Sequence, residues 1–200
     1  MRKMETIIFA TKNKGKIKEI NAILADMPVQ VVSMEEAGIT IDVVEDGTTF
    51  EANAMKKATQ IMQISQKITL ADDSGLEIDY LDKAPGVYSA RFLGEDTPYS
   101  EKCKAILEKL KDVPEDKRTA RFVSCIAAAF PDGRQLISYD TIEGIIGWES
   151  KGTNGFGYDP IFYLPERKKY MAELLPEEKN AISHRGKALR KMKDLLQKEL

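Results

Sequence analysis

Two adjacent carboxylates are the first candidates for chemistry in this chain of 200 residues. Asp72 and Asp73 follow the apolar run "ITLA" and precede Ser-Gly. Neighbouring negative charges repel each other, and a simple turn needs only one Asp, so the pair predicts a positive partner. Mg²⁺ takes a small number of hard oxygen ligands from carboxylates and substrate phosphates and keeps several waters. Together with Glu45, the pair indicates a magnesium site; the alternative is an Asx-turn with surplus charge.

Lysines crowd the start of a predicted helix in the stretch "TKNKGK", residues 11–16. A helix N-terminus carries partial positive charge, so each exposed lysine there costs about 0.3–1 kcal/mol. The cost disappears when an anion binds the free N–H groups and the ammonium groups together. The GxxxxGK[ST] pattern of a P-loop is absent. The stretch therefore predicts a phosphate site, and a solvated lysine cluster is the alternative.

The same charge inversion recurs in "SHRGK" near the C-terminus. Ser183 is a plausible N-cap, which places His184 and Arg185 in a first helical turn, again the unfavourable end for cations. His184 is the single histidine of the chain, and a lone histidine is more often structural or merely exposed. Arg185 can grip a phosphate through two parallel hydrogen bonds. Two such helix starts favour a polyanionic ligand over coincidence.

The stretch "GTNGFGYDP", residues 152–160, combines three glycines with two aromatic residues. Such a loop can present flat rings to a planar base, although it lacks the GxGxxG spacing of a dinucleotide site. As a plain loop, it would dock Phe156 in the core. Lys57 shares a helical face with Asn53 and adds a further cation. Two anion sites, a magnesium site and an aromatic platform predict a nucleoside triphosphate pocket.

Composition excludes several other classes of function. The net charge of -2 provides no broad basic surface for a nucleic-acid backbone. Cys103 and Cys125 lack CxxC spacing, so we expect two reduced thiols and no zinc. The apolar run near the N-terminus is too short for a signal peptide or a membrane span, which predicts a cytoplasmic protein. A glycosidase carboxylate pair would not explain the basic sites, because a sugar is neutral.

The elements that must position these residues alternate between strand and helix patterns. Predicted helices include one with Ile17, Ile20, Ile23 and Leu24 on its apolar face and one with Phe50, Ala54, Ala58 and Ile61, the latter starting at a capping box of Thr48 and Glu51. A third predicted helix carries Cys103, Ile106, Leu107 and Leu110, and a fourth closes the chain from "SHRGK". Predicted strands are "ETIIFAT", "VQVVSM", "KITLA", "LEIDYL", "TARFVSCIAAAF", "RQLISYDTIEGIIG" and "IFYL".

Two local patterns connect the predicted strands. The Asp-Asp-Ser-Gly turn joins "KITLA" to "LEIDYL", and "PDG" makes a hairpin between the two long strands. No repeat or linker interrupts the alternation. We therefore expect a single α/β domain over residues 1–200, with a central mixed sheet flanked by helices.

The motifs taken in order resemble the inosine triphosphate pyrophosphatase family, which hydrolyses non-canonical purine nucleoside triphosphates. The resemblance spans nearly the whole chain through "ATKNKGKIKEI", "EDGTTFEANAMKKA", "ADDSGL", "APGVYSARF", "GTNGFGYDPIF" and "EEKNAISHRGKAL". It implies two lobes around a nucleotide-binding cleft, usually in a homodimer, and no nucleic-acid or membrane partner. It also implies Mg²⁺-dependent conversion of ITP, dITP or XTP to the monophosphate and pyrophosphate, which cleanses the nucleotide pool. One position departs from the family pattern, because Asn154 replaces the third residue of Gly-Thr-Gly-Gly.

The resemblance also implies roles for individual residues. Asp73 would be a magnesium ligand and the proton acceptor, and Glu45 a second magnesium contact. Lys16 would act in catalysis as one of the lysines that neutralise the departing pyrophosphate. The remaining predicted substrate contacts are Thr11, Lys12, Asn13, Lys14, Gly15, Lys57, Ser74, Phe156, Gly157, Tyr158, Asp159, Lys179, His184 and Arg185.

Two questions stay open at the level of sequence. Adjacent carboxylates titrate together, so either Asp73 or Asp72 is the catalytic base. A sensor module that binds the triphosphate without turnover would share the anion sites, but only an enzyme needs the acidic residues.

Overall fold

The computed structural model describes residues 4–200 as an α/β protein. Within that range, the five α-helices are α1 (Lys14–Ile23), α2 (Phe50–Ser65), α3 (Tyr99–Lys109), α4 (Pro176–Ile182) and α5 (His184–Glu199). The seven strands are β1 (Glu5–Phe9), β2 (Val29–Ser33), β3 (Ile68–Ile78), β4 (Thr119–Ala129), β5 (Gln135–Ile146), β6 (Phe162–Leu164) and β7 (Lys169–Tyr170). Helix α4 and strand β7 were not predicted.

The strands form one mixed sheet in the order β2-β1-β3-β4-β5-β6-β7. Strand β1 pairs in parallel with both β2 and β3, whereas β6 pairs antiparallel with β5 and β7. Parallel neighbours need helical crossovers, which explains the helix patterns between the first three strands. The predicted mixed sheet is confirmed.

The described chain divides into two compact units. Unit 1 comprises residues up to Asp73 together with Ser124–Asp140 and Arg185–Leu200, and unit 2 comprises Ser74–Val123 and Thr141–His184. Two units agree with the lobes that the resemblance implies, whereas the cleft and the single domain over 1–200 stay predictions.

Each unit has its own hydrophobic core. In unit 1, apolar residues of α1 and α5 pack with strand residues, and the buried set is Ile7, Phe9, Ile20, Leu24, Met27, Val31, Ile68, Leu70, Ile126, Ala128, Phe130, Ala188, Leu189, Met192 and Leu196. In unit 2, α3 packs on its strands around Leu76, Ile78, Cys103, Ile106, Leu110, Val113, Ala120, Phe122, Ile142, Ile146, Tyr158, Ile161, Phe162, Leu164, Met171 and Leu174. Fully burying one large aliphatic side chain contributes about 1.5–3 kcal/mol. Both cysteines are free and buried, as expected.

Strand β3 corrects the sequence analysis at the most important place. Two strands with an Asp-Asp-Ser-Gly turn were predicted, but Ile68–Ile78 is one continuous strand near the middle of the sheet. Asp72 and Asp73 therefore lie inside a strand instead of at its end. The turn prediction was wrong because local propensity disfavours Asp in strands, whereas Lys16 and Arg185, which are distant in sequence, stabilise the Asp72 carboxylate inside β3.

Other local predictions can be compared with the structure directly. The N-cap of α2 is Thr49 instead of Thr48, since Thr49 Oγ1 accepts the N–H of Ala52 at 3.0 Å. The apolar stripe predicted for this helix is buried. The "PDG" hairpin is confirmed, because β4 and β5 are neighbours in the sheet and Phe130 N donates to Arg134 O at 3.0 Å. Helix α5 begins at His184, which places His184 and Arg185 in its first turn as predicted.

Candidate active site

The lysine-rich loop before α1 is shaped by Asn13. Asn13 Oδ1 accepts the N–H groups of Gly15 at 2.8 Å and Lys16 at 3.2 Å, and Asn13 N donates to Thr11 Oγ1 at 3.1 Å. A Cβ at Gly15 would lie 3.1 Å from Asn13 Oδ1, so glycine keeps this cap uncrowded. The first turn contains no acidic residue. The helix start therefore keeps its positive end, and the side chains of Thr11 and Asn13 hold the loop in place.

The cations of this loop have different surroundings. Lys16 reaches inward to Asp72, whereas Lys12 forms an exposed ion pair with Asp42 and Lys14 is exposed. Lys56 binds Asp46 at 2.6 Å on the same side of α2 as Asn53. The acidic segment 42–46 thus supplies carboxylates to cations that the sequence analysis assigned to phosphate or left unassigned.

Asp72 is a fully buried carboxylate between two cations. Its Oδ2 accepts from Lys16 Nζ at 2.8 Å and from Arg185 Nε at 3.2 Å. Burial by itself would raise the pKa of Asp72, but the charges of Lys16, Arg185 and Lys57 outweigh it and hold this pKa well below its usual range. Asp72 is therefore ionised at neutral pH and fixes the two cations in place.

Asp73 has the opposite environment one residue later. Successive side chains of a strand point to opposite faces, so Asp73 lies away from Lys16 and Arg185. Burial raises the pKa of Asp73 to about 6, repulsion from Glu45 and Asp72 adds to the rise, and Asn53 and Lys57 oppose it. Its Oδ2 is buried and meets no hydrogen-bond partner within residues 4–200. This oxygen is available for a ligand.

Lys57 connects the acidic residues to each other. Its ammonium pairs with Glu45 and donates to the backbone oxygen of Asp72 at 3.1 Å. Burial would lower the pKa of Lys57, but the charges of Asp72 and Glu45 raise it instead. Lys57 therefore stays positive beside the Glu45–Asp73 pair.

The donor set fits a hard divalent cation that brings other ligands with it. No group of three His, Cys, Asp or Glu side chains in the described chain is arranged to hold a metal ion. Glu45 and Asp73 are two repelling carboxyl groups, one with an orphaned buried oxygen. Two carboxylates with waters and substrate phosphates suit Mg²⁺, whereas a soft metal would need thiolates or imidazoles.

The glycine-rich loop of unit 2 is organised by Asp159. Asp159 is buried, its carboxylate pairs with Lys179, and its Oδ2 accepts the N–H of Phe156 at 2.9 Å. The Lys179 ammonium also lies 4.4 Å from the centre of the Phe156 ring. Gly155 has a φ of +74°, and a Cβ there would collide with the Asp159 carboxylate. The loop therefore holds an exposed aromatic face beside a lysine.

The two aromatic residues of this loop differ in their exposure to solvent. Phe156 is 55% exposed, as the prediction of a stacking platform requires, and it borders a pocket of about 360 Å³. Tyr158 is 3% exposed, so the expected exposed ring is wrong for this residue. Its OH donates to Ser89 O at 2.6 Å, and its ring packs edge-on against Tyr99. The apolar ring fills the core of unit 2, and the buried hydroxyl finds a backbone acceptor.

Asn154 holds the loop to the segment before α4. Its backbone N–H donates to Ala172 O at 2.9 Å and its Nδ2 to Leu174 O at 3.0 Å. The residues with positive φ in this loop are Gly152, Gly155 and Gly157, so Asn154 is not needed for a left-handed conformation. Its side chain instead adds a tether toward the helix that carries Lys179.

The remaining predicted contacts are placed as follows. His184 is buried and its ring stacks on Phe122 with a centroid distance of 5.0 Å. Ser74 is half-buried on β3, and the carbonyl of Gly157 lies 3.8 Å from Cys103 Sγ. Lys16, Lys57, Arg185, Glu45, Asp72 and Asp73 come together in unit 1; Phe156, Asp159 and Lys179 come together in unit 2.

Comparisons with known proteins identify the family. The sequence model of the Ham1 family matches residues 7–195. The chain belongs to the Ham1 family. A Ham1 relative from Clostridium perfringens, named dITP/XTP pyrophosphatase, is 48% identical over 199 residues, which is 96% of this chain and 98% of the relative. A relative of the same name from Desulforamulus reducens is 50% identical, over 95% of this chain and 94% of its own length.

Solved structures agree with the Ham1 assignment. A HAM1 protein from Coxiella burnetii superposes with a TM-score of 0.91 at 39% identity, covering 98% of this chain and all of that protein. These findings confirm the predicted family and the α/β fold. Within residues 4–200, every helix is too short or too polar to cross a bilayer.

Proposed function

We propose that this Ham1 chain hydrolyses ITP, dITP and XTP to the nucleoside monophosphate and pyrophosphate. The relatives named dITP/XTP pyrophosphatase support this substrate class over nearly the full length of the chain. The observation that carries the mechanism is the pair Asp72 and Asp73. One carboxylate is neutralised by two cations, and the next keeps a buried oxygen without a partner in the described chain.

Cations around the start of α1 bind the triphosphate. The partial positive charge at the start of α1 acts together with the side-chain cations on the phosphate oxygens. These cations are Lys12, Lys14, Lys16, Lys57 and Arg185. Asp72 orients Lys16 and Arg185 for this task, because its ionised carboxylate holds both. Lys16 neutralises charge that develops on the departing pyrophosphate, which is where electrostatic stabilisation contributes most.

Glu45 and Asp73 would hold Mg²⁺. When bound, Mg²⁺ would supply positive charge to the phosphate oxygens in addition to that of the lysines. The orphaned oxygen of Asp73 and the repulsion between the two carboxyl groups support this assignment.

Asp73 acts as the general base. It takes a proton from a water whose oxygen forms a bond to the α-phosphorus, while the bond from that phosphorus to the bridging oxygen breaks. The electron pair leaves with pyrophosphate, and the proton stays on the Asp73 carboxyl group. In the metal-free protein the pKa of Asp73 is raised to about 6, whereas that of Asp72 is held well below its usual range by cations, so Asp73 is the better proton acceptor of the two.

Phe156 and Lys179 are the residues that select the base. The exposed ring of Phe156 stacks on the purine, and Lys179 donates to the 6-keto oxygen of hypoxanthine or xanthine, with Asp159 orienting the ammonium. An ammonium has no acceptor, so the 6-amino group of adenine would face a donor and lose about 1–3 kcal/mol. His184 and Arg185 complete the nucleotide contacts, and Ser74 lies beside the substrate.

The assay that tests the function measures pyrophosphate release from ITP, dITP, XTP and ATP with and without Mg²⁺. We expect release from the first three nucleotides only with Mg²⁺ and much slower release from ATP. Tight ITP binding without any release would instead identify a sensor. We also propose a cytoplasmic homodimer, which the resemblance supports. Light scattering, which measures the molar mass in solution, tests whether the protein is a dimer.

A further inference from the structure

Asn53 is a buried polar residue on α2 that the proposed mechanism does not use. Its side chain is 0% exposed, although it lies beside the apolar stripe of the helix. Buried amides normally have partners for all their polar atoms, because an unsatisfied group costs about 1–3 kcal/mol. The surroundings of its two polar atoms therefore indicate what the residue does.

The oxygen of the amide holds the segment that carries Glu45. Asn53 Oδ1 accepts the backbone N–H of Gly47 at 2.7 Å, two residues after Glu45. A Cβ at Gly47 would lie 2.6 Å from the same oxygen, so glycine permits the close approach. The segment 40–46 has no regular secondary structure of its own. Its position relative to α2 therefore depends on side-chain anchors of this kind.

The nitrogen of the amide is the second buried polar atom of this side chain. Asn53 Nδ2 is buried and has no partner of acceptable geometry within residues 4–200, and the same holds for Asp73 Oδ2. The Asn53 side chain also interacts with the Asp73 carboxyl group in the direction that lowers the pKa of Asp73.

We propose that Asn53 is a positioning residue that sets the separation between Glu45 and Asp73 for a divalent cation. One amide on a helix anchors the loop of Glu45 through its oxygen, and the same side chain interacts with the Asp73 carboxyl group. The two carboxyl groups repel each other, so an anchor is needed to hold them at the spacing that the strict geometry of Mg²⁺ demands. Partners behind the ligands of a metal typically change its affinity 10- to 100-fold. This inference rests on the proposed metal site.

The test measures metal binding apart from catalysis. Mn²⁺ binding to the free protein is followed by electron paramagnetic resonance for wild type, Asn53→Ala and Gly47→Ala, with metal-free thermal unfolding of each. Asn53→Ala removes the anchor, and Gly47→Ala disturbs it from the opposite side without removing a polar group. Asn21→Ala is the matched control, because Asn21 is an exposed Asn on α1 whose Nδ2 bonds Ile17 O at 3.0 Å.

We expect both site variants to bind Mn²⁺ about tenfold or more weakly than wild type and Asn21→Ala to bind it normally. We also expect a matching rise in the Mg²⁺ concentration that half-saturates ITP hydrolysis. A purely structural role would lower the unfolding temperature and leave Mn²⁺ affinity unchanged, which would overturn the proposal. If Asn53→Ala fails to fold, the Mn²⁺ affinity of Gly47→Ala decides alone.

The outcome for wild type separates this inference from the proposed function. Wild type that binds Mn²⁺ but releases no pyrophosphate from ITP would refute the function, and the variants would still test the anchor. Wild type that hydrolyses ITP but binds no Mn²⁺ would refute a site preformed by Asn53.

Discussion

Asp72 and Asp73 are consecutive residues of β3 whose carboxyl groups have pKa values shifted in opposite directions. The cations Lys16, Arg185 and Lys57 overcome burial and lower the pKa of Asp72, whereas burial and Glu45 raise that of Asp73 to about 6. Pairs of acids separated in this way commonly divide catalytic roles. The alternation of side chains along a strand creates the separation from two identical residues.

Asp73→Asn should abolish turnover and stabilise the metal-free protein. The substitution removes the proton acceptor and also a buried negative charge beside Glu45. At pH 8 in EDTA, we expect a gain of about 1–3 kcal/mol in the free energy of unfolding, measured by urea denaturation. ITP binding should remain measurable by calorimetry. Pyrophosphate release at the wild-type rate would remove Asp73 from the mechanism.

Asp72→Asn should have the opposite effect on stability. Lys16 would lose its carboxylate partner, and Arg185 would be left with the more distant Glu19 carboxylate at 3.9 Å. Breaking a buried pair from one side costs about 3–5 kcal/mol. We expect the free energy of unfolding to fall by this amount in the same urea experiment at pH 8. An unchanged midpoint would mean that solvent or another carboxylate neutralises the two cations.

The stabilisation by Asp73→Asn should depend on pH in a defined window. An acid whose pKa is raised in the folded state keeps its proton longer there than in the unfolded chain, so stability falls as pH rises from the ordinary value of 3.8 to about 6. The difference between wild type and Asp73→Asn should therefore be absent below that window, grow through it and stay constant above it. Urea titrations in EDTA at several pH values measure this. A difference that is constant from pH 3 to pH 8 would contradict the raised pKa.

Lys179→Met should reduce discrimination between purines. Losing the donor to the 6-keto oxygen should lower kcat/KM for ITP about 10- to 100-fold, which corresponds to about 1–3 kcal/mol, and leave that for ATP nearly unchanged. Lys151→Met is the control, because Lys151 is an exposed lysine of unit 2 that lies 3.8 Å from Glu173. Equal losses for ITP and ATP would show that Lys179 does not read the base.

Asn154→Ala should loosen the glycine-rich loop. The substitution removes the hydrogen bond to Leu174 O and keeps a backbone conformation that alanine tolerates. We expect stability to fall by about 0.5–1.5 kcal/mol and KM for ITP to rise several-fold with little change in kcat. Asn154→Gly should cause an equal or larger loss of stability and an equal or larger rise in KM. Steady-state kinetics and thermal unfolding measure both effects, and an unchanged KM would show that the tether does not position the loop.

Local sequence determined most of the helices and strands and the kinds of side chain present at the candidate site. The apolar stripe of α2, the hairpin at "PDG" and the cations in the first turns of α1 and α5 depend on residues within one or two turns, so the sequence analysis predicted them. The exposed ring of Phe156 was also predicted. The N-cap of α2 was misplaced by one residue, because the capping-box spacing of Thr48 and Glu51 favoured Thr48, whereas Thr49 Oγ1 accepts the N–H of Ala52.

Only the tertiary structure decided what the carboxylates do. Lys16 and Arg185 lie 56 and 113 positions from Asp72 in the sequence, so no local pattern could show that they neutralise it and leave Asp73 beside Glu45. Long-range contacts also explain why residues 68–78 form one continuous strand where a turn was predicted. Another long-range contact, the hydrogen bond from Tyr158 to Ser89 O, accompanies the burial of Tyr158. Charge and burial act through space, and a pKa is therefore set by neighbours that the chain brings together only when it folds.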